Sequence, residues 1–164
     1  MPDWKEQYMQ TLTKQFCGFW SEEAKKRNTS IGNMIKELGI PSKHMAFLAT
    51  METWRVISRT NAKRIAKQMC EEPQIDPCDV AIKQDLIQVH SPTIIHQWLQ
   101  EAINENPKAY DDCFNDKKRK KATQFLKGFV MRKSNFTAND DVLDWLIKEI
   151  GTGQISPQNE LEQY

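Results

Sequence analysis

Several things are scarce in this sequence of 164 residues. Alternating apolar and polar runs of the strand type are short, so a sheet has little to form from. The four cysteines, Cys17, Cys70, Cys78 and Cys113, show no C-x-x-C spacing, and His44, His90 and His96 add no metal-type spacing to them. They read as free thiols of a reducing compartment, cytoplasmic or organellar, with no metal and no cofactor. Asn28-Thr29-Ser30 and Asn135-Phe136-Thr137 fit the glycosylation pattern, but with no signal peptide in front both read as chance. A glycine-rich phosphate loop is missing, and no apolar run approaches the roughly 20 residues that span a bilayer. Net charge is scarce as well. With 27% charged residues the chain carries only +1, so affinity for nucleic acid has to come from a local patch.

What is present is helical. Asp3 and Glu6 form a capping-box pattern, followed by Trp4, Tyr8, Leu12, Phe16 and Phe19 at helical spacing. This aromatic stripe either packs on the rest of the chain or docks on a partner. Residues 21–29 read as a connector or an extended helix end. A short helix with Ile31, Met34, Ile35 and Leu38 stops at Gly39, with Pro41 beyond it. Met45, Leu48, Met51 and Trp54 point a further helix toward a core. Ala62, Ile65, Ala66 and Met69 do the same for the next, with Arg59, Lys63, Arg64 and Lys67 on its other sides. Asp76-Pro77 and Ser91-Pro92 each open a helix, with proline where its missing N–H costs nothing. Pro107 restarts the chain after Glu105-Asn106. Asn139 is a good N-cap for a last helix of Val142, Leu143, Leu146, Ile147 and Ile150, and residues 152–164 read as a disordered tail. The fold class is all-α: an N-terminal helix and connector over 1–27, a helical domain over 28–105, and a small tail domain over 106–151.

No catalytic constellation stands out. The histidines lack a companion Ser or Cys at an interpretable spacing. Asp140 and Asp141 lie in a first helical turn, where the helix dipole stabilises negative charge. The chain reads as a binding body, not an enzyme. Its strongest signal is Lys117 to Lys133. Ala122, Phe125, Leu126, Phe129 and Val130 make an apolar face there, and the stretch holds eight of the 23 lysines and arginines with no acid. The candidate RNA-binding residues are Lys117, Lys118, Arg119, Lys120, Lys121, Lys127, Arg132 and Lys133. The following loop adds Ser134, Asn135 and Thr137 as donors and Phe136 as an exposed stacking ring. Gly128 inside the helix costs about 1 kcal/mol against alanine, which suggests a close helix crossing.

These residues resemble a family. Glu105-Asn106-Pro107-Lys108-Ala109, then Lys120-Lys121-Ala122, Phe125-Leu126-x-Gly128-x-Val130-Met131-Arg132 and Ala138-Asn139 look like the YqeY-like tail domain of the B subunit of the tRNA-dependent aspartyl/glutamyl amidotransferase. Upstream, Ile57-Ser58-x-x-x-Ala62-Lys63 and Leu86-x-Gln88-Val89 are similar to its helical region, so the resemblance covers roughly residues 28–150. It implies an all-helical body that grips tRNA while partner subunits of the amidotransferase do the chemistry. The competing expectation is a protein-interaction module that docks on A- or B-type amidotransferase subunits or on an aminoacyl-tRNA synthetase with no direct RNA contact; with no bilayer-length apolar run, no role at a membrane is expected. The family's catalytic domain has no counterpart here, so the resemblance implies an accessory subunit or an excised piece. Two departures stand out. The family's loop Gly and Lys fall at Phe136 and Thr137, and Lys127 stands where an apolar residue is usual.

Overall fold

The computed structural model describes residues 3–150, and of Phe16 and Cys17 the backbone only. The expected disordered tail lies outside the described residues. The fold is all-α, and the chain forms two compact units, Met1–Ile87 and Gln88–Tyr164. Among the described residues, no helix is long and apolar enough to cross a membrane.

In the first unit α1 (Trp4–Gln15) starts where the Asp3 carboxylate accepts the Lys5 N–H at 3.0 Å. The chain kinks through Phe16–Trp20, with Gly18 at φ −97°, ψ −108°, and resumes as α2 (Ser21–Lys26). The polar segment after the aromatic stripe is thus partly helical. α3 (Ile31–Leu38) is capped by Ser30 and ended by Gly39 at φ 70°, as the sequence punctuation requires. α4 (Ser42–Thr53), α5 (Arg59–Glu71) and α6 (Pro77–Lys83) complete this unit. Trp20, Met34, Leu48, Ile65, Met69 and Leu86 are the buried centre of its core.

Trp54, expected in the core, and Trp4, whose stripe is open to packing or docking, both stand outside it. Trp54 is 63% exposed because α4 ends at Thr53 and the chain turns at Arg55 (φ 58°). Trp4 is also exposed, and α1 contributes no fully buried side chain among its described residues.

The second unit contains α7 (Pro92–Glu105), α8 (Pro107–Asp112), α9 (Arg119–Lys133) and α10 (Asp140–Ile150). Its core takes Ile95, Leu99, Ala102 and Ile103 from α7, Leu126 and Val130 from α9, and Leu143, Leu146 and Ile150 from α10. Packing therefore groups α7 with the helices after Pro107, although the sequence places its main break there. The Asn106-Pro107 break is a tight corner within this unit. The Asn106 amide donates to the Ala102 carbonyl at 2.9 Å, and Pro107 opens α8 at once.

The motifs of the family resemblance turn out to be joints. Val89 donates to the Thr137 carbonyl at 2.8 Å and accepts from Asn139 N–H at 3.0 Å. The Asn139 side chain also reaches Gln88, while its Oδ1 caps α10 by accepting from Asp141 and Val142. In the first unit Ser58 caps α5, Ile57 bridges to Ile87, and Asn61 donates to the Leu86 carbonyl. A buried extended segment has no helix ladder of its own, so each such joint satisfies backbone groups that burial would otherwise orphan.

Candidate nucleic-acid interface

The basic stretch divides in the structure. Asn115 organises its start: its carboxamide accepts the Lys117 N–H at 3.1 Å and its carbonyl accepts from Lys118 and Arg119. The resulting turn holds Lys117 outside the helix, and α9 begins at Arg119 rather than at Lys117. The first turn of α9 carries Arg119, Lys120 and Lys121, no acid and no side-chain cap. Cations at the positive end of a helix dipole each cost about 0.3–1 kcal/mol. Lys117, Arg119, Lys120 and Lys121 are all exposed, and they make no ion pair among the described residues. Arg132, near the other end, is exposed and likewise without an ion pair among them.

The other three cations are engaged. Lys118 meets Asp112 at 3.0 Å. Lys127, turned toward α10, sits 2.7 Å from Asp144 and 3.4 Å from Asp140, with its side chain only 23% exposed. Burial pulls its ammonium pKa down, but the hydrogen bond to Asp144 and the charges of both aspartates outweigh this and hold it above the ordinary lysine value. The departure from an apolar residue at this position is thus answered by two acids on the next helix. Lys133 bridges to Glu101 and Glu105 of α7, and those hydrogen bonds raise its pKa as well.

Beside the free cations lies an open groove of about 460 Å³ between α9 and α10. Arg119, Lys120 and Thr123 line one side, Asp144, Ile147 and Lys148 the other, with Asp116 at the rim. Lys148, which sequence reasoning did not connect to the basic run, belongs to this wall because α10 packs against α9.

The loop after α9 differs from expectation. Ser134 and Thr137 are buried, and their hydroxyls bond within the loop: Ser134 donates to the Met131 carbonyl at 3.2 Å and Thr137 to the Ser134 carbonyl at 2.6 Å. They are not free donors. Asn135 is exposed, at φ 52°. Phe136 stands at φ 61° and is half-buried rather than a free ring. A left-handed backbone suits glycine, which is the family's residue there, and costs a side chain of this size about 1–2 kcal/mol.

The reverse holds for Phe125. Its spacing places it in the core, yet it is 46% exposed. Its neighbours α7, α8 and α10 cover the line Ala122, Leu126 and Val130, and Phe125 lies about 100° round the helix from Leu126. Gly128 is not at a helix crossing either. A Cβ there would meet only the Arg132 guanidinium, at 3.4 Å.

Other basic and titratable groups lie outside α9. On the first unit Arg59, Lys63 and Lys67 form an exposed i, i+4, i+8 stripe along α5, without ion pairs among the described residues. His96 lies buried within α7, and desolvation lowers its pKa. No group of three or more His, Cys, Asp or Glu among the described residues stands close enough to hold a metal ion. Cys70 and Cys113 are free and buried, and burial pushes both thiols up.

The chain has recognisable relatives among known proteins. The family described as the GatB domain matches residues 5–163. The B subunit of the aspartyl/glutamyl-tRNA(Asn/Gln) amidotransferase of Finegoldia magna is 30% identical over 115 residues, covering 70% of this chain and 24% of that protein. Its counterpart in Thermotoga neapolitana is 28% identical over 120 residues, 73% of this chain and 24% of that protein. The one in Clostridium botulinum is 28% identical over 156 residues, 85% of this chain and 32% of that protein. The chain therefore spans about a quarter to a third of the length of these relatives. With the match running over nearly its whole length, the chain belongs to the GatB domain family.

Proposed function

We propose that the chain is a tRNA-binding module of an amidotransferase of the Glu-tRNA(Gln)/Asp-tRNA(Asn) type, holding the tRNA body while partner subunits carry out the chemistry. The observation that carries this reading is the start of α9. Four exposed cations, Lys117, Arg119, Lys120 and Lys121, crowd a helix end whose dipole opposes them, with no acid in that turn to offset the repulsion. A polyphosphate backbone supplies that offset and gains counterion release in exchange. Lys148 extends the surface across the groove, and Asn135 stands at the far end of the same helix. Lys118, Lys127 and Lys133 take part less, because binding a phosphate would first require them to leave their carboxylates.

The test is fluorescence anisotropy of a labelled tRNA transcript with the full chain and with a Lys117→Ala/Lys120→Ala/Lys121→Ala variant. The variant is expected to bind at least tenfold more weakly at about 0.1 M salt, given roughly one released counterion per lost contact. Equal affinity would remove the assignment of this face.

A second reading, docking on another protein subunit, is favoured by the exposed Trp4, Met9 and Phe47, which α1 and α4 leave uncovered. Co-purification with A- or B-type amidotransferase subunits, lost in a Trp4→Ser/Met9→Ser variant, would support it. Both readings are compatible in one chain.

A further inference from the structure

The exposed ring on α9 is the feature that the phosphate-binding reading leaves unused. Phe125 is 46% exposed, although a phenylalanine gains by burial and three helices pack against the same element. Lys121, one turn before it on the same face, is exposed and makes no ion pair among the described residues. Phe129, one turn after it, is half-buried against the core of the unit. The Arg132 guanidinium folds back along this face to within 3.4 Å of where a Cβ on Gly128 would stand, and Gly128 is itself three residues from Phe125. An apolar ring with one free cation before it and another behind it matches a nucleotide: a flat base between two negatively charged phosphates. A surface built only for phosphates has no use for the ring, and one built for an apolar partner has no use for the cations.

From this juxtaposition the geometry points to a stacking subsite for one unpaired RNA base on Phe125, with Lys121 and Arg132 holding its flanking phosphates. The inference rests on the RNA reading above and deepens it: the ligand is a single-stranded or loop segment, not a helical stem. Inside an A-form stem each base face is already covered by its neighbours, so a protein ring reaches a base only where the strand is splayed. Phe136, the ring that the loop pattern offers for this role, is half-buried and therefore less suited to it.

The experiment uses the full chain and two labelled RNAs, a mixed-sequence single-stranded decamer carrying one 2-aminopurine and the blunt duplex of the same sequence. Phe125→Leu keeps an apolar side chain but removes the π-face, and Phe125→Tyr restores it. The leucine variant is expected to lose roughly 5- to 150-fold in affinity for the single strand, the range that stacking one base amounts to. Its affinity for the duplex should stay within about twofold, since phosphate contacts alone govern that complex. The tyrosine variant should bind both RNAs like the parent, and 2-aminopurine quenching should accompany binding for the parent and Tyr proteins only. Unaltered single-strand affinity in the leucine variant overturns the subsite, and so does an equal loss on both RNAs. Loss of RNA binding in the triple lysine variant without any effect of Phe125→Leu removes this inference alone. Failure of the parent chain to bind either RNA removes it together with the RNA reading.

Discussion

The ion pairs around α9 make a quantitative statement about how RNA binding depends on salt. The basic run holds eight cations. If all engaged phosphates, log K would fall against log salt with a slope of about −5.6 to −7.2, from roughly 0.7 released ions per contact for single strands to 0.9 for duplex. Five have no ion pair among the described residues, Lys117, Arg119, Lys120, Lys121 and Arg132, and these alone give about −3.5 to −4.5. The difference amounts to about 20- to 40-fold in affinity on going from 50 to 200 mM salt, well within reach of an anisotropy titration. Single substitutions sharpen the contrast. Lys120→Ala should flatten the slope by nearly one. Lys127→Ala should leave it unchanged, because that ammonium is already satisfied by Asp140 and Asp144. Its cost should appear in stability instead, about 0.5–1 kcal/mol for a partly exposed pair, read by urea unfolding. A slope near −7 for the parent, or flattening by Lys127→Ala as large as by Lys120→Ala, would refute the idea that the carboxylates keep these lysines out of the interface.

Other consequences are independent of RNA. His96 is held neutral by burial, with its pKa below the ordinary value, so the unfolded chain takes up a proton first as pH falls. Its contribution is complete above about pH 6.5 and is lost as pH falls below that; thermal melts at pH 7.5 and 5.5 should show a smaller drop for His96→Gln than for the parent. Asn139→Ala removes the α10 cap and the bond to Gln88 and should cost about 1–2 kcal/mol by chemical denaturation, whereas a neutral result would mean that water replaces both. Gly128→Ala should stabilise by about 0.5–1 kcal/mol, since the added methyl meets only the movable end of Arg132. Destabilisation of that size would instead indicate a close helix approach.

Much of the fold is legible in the sequence because its signals are local. Ser30, Ser58, Asp76 and Asn139 each accept from a backbone N–H at the helix start they precede, and Gly39 takes the positive φ that stops α3. A cap needs only the few residues it bonds, so the chain shows it without a partner element. Periodicity likewise identifies Leu126, Val130, Leu143 and Ile147 as core residues. It fails at the edge of a stripe. Phe125 and Leu126 are equally apolar, and only the width of surface that neighbouring helices cover separates the exposed one from the buried one.

The same division runs through the candidate site. The sequence by itself determined that the chain is all-α, that its cations concentrate between Lys117 and Lys133, and that its motifs resemble the B-subunit tail. Tertiary structure alone decided which of those cations are free. The carboxylates that hold Lys127 lie 13 and 17 residues away on α10, and those that hold Lys133 lie 28 and 32 residues away on α7. Charge balance along a segment cannot register partners that reach it only through packing. Helix identity is settled within one turn of the chain, but the availability of a charge or a ring depends on what the rest of the unit brings beside it.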